Sequence, residues 1–341
     1  MSLPPVEIPL GAMRFNSDSR KLEYFNGDIW MQVHTFNPDL NGGARGLWVA
    51  GSFHTGGGQT AINIIEYVTI STAGNAVDFG DTSKKWKYNA GCASNTRGVT
   101  GGGISNADSP AYLNTMEYVT IAITGNTTDF GDLVSDLKVY PASFSNQTRG
   151  IWGNGGPSGS KVNTVAYATI ATLGNAIEFG DTTLSRSNSS GTASPTRGVF
   201  AGGYTPSEVN TIDYVTIAST GNAFDFGDLT HKSQMSGGSG SSTRGIFWGG
   251  APSVRNTINY ITFATTGNAA DFGDSALDLG YGNSFSSNVR SVRGGGQDGT
   301  ATNVIEYVTI ATTGDAVDFG DLSTIDHRAC GSYSNGHGGL G

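Results

Sequence analysis

One phrase occurs six times in this chain and constrains its fold more than any other feature. It reads YVTISTAGNAVDFGD from Tyr67, YVTIAITGNTTDFGD from Tyr118, YATIATLGNAIEFGD from Tyr167, YVTIASTGNAFDFGD from Tyr214, YITFATTGNAADFGD from Tyr260 and YVTIATTGDAVDFGD from Tyr307. Successive tyrosines lie 51, 49, 47, 46 and 47 residues apart. That period falls among the four-stranded propeller repeats rather than the shorter helical ones. A catalytic aspartate is needed once, whereas a structural unit can be needed in every repeat. The DFG tripeptide is therefore read as architecture. A kinase is excluded, because no glycine-rich phosphate loop leads into a VAIK-like strand and the HRD element is missing.

Every unit has the same anatomy. It opens with Arg-Gly and an apolar pair, as in Arg197-Gly198-Val199-Phe200, and usually runs into glycines such as Gly202-Gly203. A variable stretch then ends at Asn63, Asn114, Asn163, Asn210, Asn256 or Asn303, and the β-branched and aromatic run that follows reads as a strand. Gly74-Asn75 and its counterparts, with Gly314-Asp315 last, are predicted to form two-residue hairpin turns, so that YVTIST pairs with AVDFGD. Between each FGD and the next Arg lies a small-residue segment, such as SSGTAS at 189–194, which is predicted to be an innermost strand crowded around a central channel. Gly 52 together with 37% hydrophobic residues suits many short strands and tight turns better than disorder. A lone sheet of this kind has two apolar faces to cover, so neighbouring units must stack on one another.

The chain ends supply the rule for closure. The last Asp of FGD precedes the next Arg by 16 residues at four junctions, from 81 to 97, 181 to 197, 228 to 244 and 274 to 290. The same count from Asp321 reaches His337-Gly338, so the chain ends with a spare inner strand, whereas the first unit opens at Arg45 without one. Residues about 327–337 are predicted to complete the sheet begun at Arg45, leaving no open edge. The expected fold is all-β: a six-bladed β-propeller over 41–341, closed by the C-terminal strand and preceded by a small β-meander within 1–40.

The order of Arg, a strand ending in Gly-Gly, a variable loop, Tyr and a final aromatic resembles Kelch and galactose-oxidase-type propeller repeats over about 45–341. The units carry Phe79-type residues where Kelch units often have Trp, and the sixth departs further, with Arg290-Ser291 and an early Arg293. The TRG, GG, EYVTIATTGNA and DFGD phrases also look like those of tail-fibre and appendage proteins of bacteriophages. At the N-terminus, IPLGAMRFNSDSRKLEYFNGDIWMQV has Phe15, Leu22, Tyr24 and Trp30 alternating with polar residues and an Asn26-Gly27 turn, which predicts a three-stranded antiparallel meander. It is similar to the short modules of the form G-x-x-R-F-N … L-E-x-F-N-G-x-x-W in phage virion proteins. So small a sheet has too little core to stand alone. Residues 1–40 are expected to dock on another virion protein, to trimerise, or to cap the propeller. These resemblances imply a virion location and a structural or receptor-binding role.

Chemistry finds little support in the residues. Paired acids recur in each phrase, ending at Asp81, Asp132, Asp181, Asp228, Asp274 and Asp321. They are expected to pair with the recurring Arg45, Arg97, Arg149, Arg197, Arg244 and Arg290 or to cap turn amides, since a single active site would require asymmetry. His34, His54, His231, His327 and His337 show no ligand spacing, so no metal or other cofactor is expected. No GxSxG, no sialidase Asp-box and no copper set of Tyr, Cys and His is found. A net charge of -9 without basic clusters argues against nucleic acid, and the lack of a long apolar run argues against membrane insertion. Cys92 and Cys330 are read as buried thiols. The loops that vary between units are expected on one face, and Trp86, Tyr88, Tyr112 and Tyr204 are candidates for stacking on sugar rings. Three functions remain at this stage: a non-enzymatic appendage that binds a host-surface glycan or protein, a decoration that contacts only virion subunits, and a glycan-cleaving enzyme.

Overall fold

The computed structural model describes residues 8–16, 21–32, 44–55, 58–105, 111–135, 137, 139–156, 160–251, 255–298, 300–323 and 329–340. The chain divides into two compact units, Met1–Leu40 and Asn41–Gly341. The described residues form strands and turns, with a short 3-10 turn at Gly338–Leu340 and no α-helix among them.

In the first unit, β1 (Met13–Asn16), β2 (Lys21–Phe25) and β3 (Trp30–Gln32) pair as an antiparallel meander. The Asn26 side chain accepts from the backbone N–H groups of Asp28 and Ile29, and Gly27 takes φ 107°, so the turn spans four residues. One face stacks the Arg14 guanidinium 4.1 Å over Trp30 and ties it to Glu23 at 2.9 Å. The other face carries Met13, Phe15, Leu22, Tyr24 and Met31, all exposed.

Among its described residues the second unit holds six four-stranded antiparallel sheets, an arrangement consistent with a β-propeller. The second sheet is typical, running Ala90–Ala93, Arg97–Gly101, Thr115–Thr120 and Thr128–Asp132 in spatial order. The small-residue strands form one edge of each sheet: Ala90–Ala93, Ala142–Ser145, Ser190–Ala193, Gly237–Gly240, Asn283–Ser286 and Gly331–Ser334. Gly331–Ser334, from the end of the chain, pairs with Arg45–Thr55, placing Gly331 opposite Val49 and Ser334 opposite Gly46. Asn335 Oδ1 then accepts from Arg45 N at 2.8 Å. Small side chains are required where these strands meet: Ser143 Oγ donates to Gly91 O at 2.7 Å, and a Cβ on Gly191 would lie 2.4 Å from Ser143 O.

The DFG phrase is a β-bulge. Asp129 pairs with Glu117 and Gly131 with Met116, which leaves Phe130 as the extra residue. The bulge turns Phe130 into the core, 2% exposed, in edge-on contact with Tyr118 at 6.2 Å. The glycine of the phrase meets the next sheet, since a Cβ on Gly80 would lie 2.5 Å from Gly125 O. The Gly-Asn pairs correct the sequence expectation. The strands do pair as hairpins, but the tight turn lies earlier, where Thr72 N donates to Thr69 O. Gly-Asn instead locks neighbouring sheets: Gly125 N donates to Phe79 O at 2.7 Å, and Asn126 Oδ1 accepts from Asp81 N at 3.0 Å. The glycine bond repeats through Gly174–Phe130, Gly221–Phe179, Gly267–Phe226 and Gly314–Phe272, and Gly74–Phe319 joins the first sheet to the sixth. Six hydrophobic clusters fill the spaces between successive sheets, including one that joins Trp48 and Val68 to Phe285 and Phe319.

Candidate functional site

Two sets of variable segments meet on one face of these sheets. Single bridges join the segment after FGD to the loop after the Arg-Gly strand: Lys87 with Ile104, Val139 with Gly156, Ser187 with Tyr204, Gln234 with Ala251 and Gly280 with Gln297. At the same end, two residues before each small-residue strand, stand Tyr88, Tyr140, Asn188, Met235, Tyr281 and Ala329. All six are left-handed, with φ between 52° and 65°. Each donates its backbone N–H to the carbonyl of the one before, Tyr140 to Tyr88 at 3.1 Å and Met235 to Asn188 at 2.9 Å, and Tyr88 closes the series on Ala329 at 2.7 Å. The outcome is a belt of six hydrogen bonds around a recess of about 80 Å³.

The recess is the upper part of a stack of three chambers. Tyr88 and Tyr140 face each other at its rim with centroids 4.2 Å apart, and Met235 and Tyr281 complete the wall. Burial, reinforced by the Tyr88 and Tyr281 phenols, pushes the Tyr140 hydroxyl well above its usual range, so it stays protonated. Below lies a polar chamber of about 80 Å³ lined by Asn89, Ser143, Ser190, Ser236, Ser284 and backbone. A third, of about 50 Å³, ends at His337 and Gly338. There His337 Nε2 donates to Ala93 O at 2.8 Å while Nδ1 accepts from Gly339 N at 3.1 Å, which fixes the neutral ring. Burial accordingly lowers the His337 pKa to about 4.

Among the sequence candidates, Tyr88 lines the rim, and Tyr112 lies close enough to Tyr140 to raise its pKa further. Tyr204 sits apart, bridged to Ser187 and Glu208 beneath Lys161 Nζ, 4.8 Å from its ring. Trp86 cannot stack on a ligand. It pairs with Ile62 and packs with Phe79, Leu113 and Val119, 0% exposed. Tyr140, Met235 and Tyr281 escaped the sequence reading, although a signal exists: each stands nine residues before an Arg of the repeat.

The Arg–Asp pairing also needs correction. The six arginines stack on the tyrosines of their own sheets, from Arg97 over Tyr118 at 4.4 Å to Arg244 over Tyr260 at 4.9 Å, with Arg45, Arg149, Arg197 and Arg290 between these values. Each also donates to a carbonyl of the next sheet, as Arg149 does to Ile217 O at 2.8 Å, and Arg290 reaches Ile70 of the first sheet. Asp81, Asp132, Asp181, Asp228, Asp274 and Asp321 contribute backbone N–H groups that the next sheet's Asn or Asp side chain accepts. Their carboxylates are exposed or half-buried. Ion pairs among the described residues are Arg14–Glu23 and Arg186–Asp213, the latter fully buried at 2.7 Å.

Buried acids occupy the position before the repeat tyrosine, which the sequence reading passed over: Glu66, Glu117, Asp213 and Glu306. They accept from the segment that follows FGD in the preceding unit, as Glu306 does from Ala276 N at 2.8 Å. Burial raises the Glu306 pKa, and it lowers that of the enclosed Arg293 guanidinium to about 10. Cys92 and Cys330 are buried thiols, and burial pushes Cys330 up to about 12, which leaves it unreactive. No three His, Cys, Asp or Glu side chains gather as a metal site would require among the described residues, and His34 and His327 lie outside them. Compared with known protein-family models and with curated proteins, the chain matches none.

Proposed function

We propose that residues 41–341 form a six-bladed β-propeller closed by the C-terminal strand, and that the protein is a non-enzymatic appendage of a bacteriophage virion that binds a host-surface glycan or protein. The closure is supported by the pairing of Gly331–Ser334 with Arg45–Thr55 and by hydrogen bonds that return from the sixth sheet to the first. The observation that carries the binding role is the convergence of both variable segment sets on the face that bears the tyrosine-lined recess. A scaffold built from six near-identical units leaves individuality to that face. Weak single contacts suffice, since many tethered copies engaging one cell raise the effective concentration.

The N-terminal meander is proposed as the attachment element, to another virion protein or in a homotrimer. Its five exposed apolar side chains on one face, Phe15 at 67% and Met13 at 63% among them, support this. The test is a glycan array probed with the full chain, together with particle assembly using a chain that lacks residues 1–32. Binding on the array and loss of incorporation on deletion are the expected results. Incorporation without glycan or host-cell binding would leave a decoration that contacts only virion subunits, and release of reducing sugar would overturn the non-enzymatic reading.

A further inference from the structure

We infer that the tyrosine-ringed recess and the chamber beneath it bind the terminal residue of an uncharged glycan, which enters from the recess end only. The inference rests on the glycan-binding reading above and deepens it by fixing the place and the ligand class.

The belt supplies the first argument. At φ between 52° and 65° glycine is the residue without a steric penalty, and the chain contains Gly 52, yet none of the six belt positions is glycine. Asparagine tolerates this conformation, but tyrosine, methionine and alanine do not favour it. Non-glycine residues held there concentrate at functional sites. Three of the six are tyrosines, and their rings wall the recess.

The second argument comes from polar atoms without partners. Asn188 Oδ1 at the belt and Ser284 Oγ in the middle chamber are buried and make no hydrogen bond. Ser284 is 5% exposed. Buried polar groups are ordinarily satisfied, so this stack of chambers calls for an occupant with hydroxyl groups.

Charge decides the class. Among the described residues, no Asp, Glu, Lys or Arg lines any of the three chambers, and the hydrogen bonds of His337 hold it neutral. An anionic or cationic ligand would lose hydration without gaining a counter-charge. A neutral sugar matches instead, with its C–H face on the tilted Tyr88 and Tyr140 rings and its hydroxyls toward Asn188 and the serines. The opposite end is stoppered by the chain's own tail. A Cβ on Gly338 would lie 2.1 Å from Ser241 O, and one on Gly339 would lie 1.9 Å from Ser145 O.

The test compares the full chain with its Tyr140→Gly and Tyr281→Gly variants on a glycan array, followed by saturation-transfer NMR with methyl glycosides of glucose, galactose, mannose and N-acetylglucosamine and with glucuronate. Glycine suits these backbone angles, so both variants are expected to fold, which thermal melting checks. Neutral termini are expected to bind, at least one neutral glycoside to give a transfer signal and glucuronate none, with affinity reduced about tenfold or more in either variant. Glycan binding unchanged in both folded variants would overturn this inference while leaving glycan recognition standing on the loops. Binding confined to charged termini would overturn the ligand class. A chain that binds no glycan at all would sink the glycan-binding reading and this inference together.

Discussion

Arg149 serves two sheets at once. Its guanidinium lies 4.6 Å over the Tyr167 ring of its own sheet and donates to Ile217 O of the next. Arg149→Ala is therefore expected to cost about 2 kcal/mol, from a part-buried cation–π contact and a charged hydrogen bond. Asp181→Ala, which removes the carboxylate that sequence pairing assigned to such an arginine, is expected to stay within about 0.5 kcal/mol. Urea denaturation of both variants separates the two accounts, and equal losses would restore the ion pair. A pair that does carry charge is Arg186–Asp213, wholly buried. Asp213→Ala leaves the guanidinium uncompensated and is expected to cost about 3–5 kcal/mol, whereas Arg186→Met combined with Asp213→Leu is expected to recover most of that loss in the same assay. Co-occurrence in a repeat told which residues matter in each unit but not which atoms they meet. The carbonyl that each arginine reaches lies in another unit, and sequence spacing carries no record of that register.

At the scale of the element, the bulge and the glycine that follows it decide how sheets join. Gly227 takes φ 144°, and a Cβ there would lie 2.4 Å from Gly267 O. Gly221 takes φ 151° with nothing within 4 Å of the same construction. Both Ala variants share the backbone penalty, so the difference between them isolates the contact. Gly227→Ala is expected to lose about 1–3 kcal/mol more than Gly221→Ala in chemical denaturation. Equal losses would show that the intersheet approach at the bulge is soft. Strands, edge composition and repeat boundaries were legible because burial and pleat impose a period on residue type. The Gly-Asn turn was misassigned because its chemistry suits a hairpin equally well, and only the neighbouring sheet shows that its N–H and Oδ1 point outward from the unit. The recess was half legible: Tyr88 and Tyr112 stood out as aromatics, but the left-handed belt that positions Tyr88, Tyr140 and Tyr281 arises from backbone bonds between units, which no local pattern encodes.

For Asn41–Gly341 as a whole, the tail is the element that pairs with the first sheet through Gly331–Ser334, and His337 gives a handle on it. The ring donates to Ala93 O through Nε2 and accepts from Gly339 N through Nδ1, so a second proton would oppose an N–H already aimed at Nδ1. Burial lowers its pKa from 6.5 to about 4. A histidine with a depressed folded pKa lends its full stability above the unfolded value and withdraws it as pH falls, because the unfolded chain takes up the proton first. Between pH 6.5 and 4 the repeat unit is thus expected to lose up to about 3 kcal/mol through this group. Glu306 works in the opposite sense, since burial raises its pKa and the folded state binds that proton more readily as pH drops. The measurement must isolate the imidazole, and His337→Gln does so, because an amide can still donate to Ala93 O without titrating. The difference in unfolding free energy between the parent and this variant, followed from pH 7.5 to 4, is expected to shift against the parent across that window and to stay flat above it. A flat difference throughout would mean that the histidine leaves its bonds before it is protonated, and that Gly331–Ser334 alone holds the sixth sheet's neighbour in place.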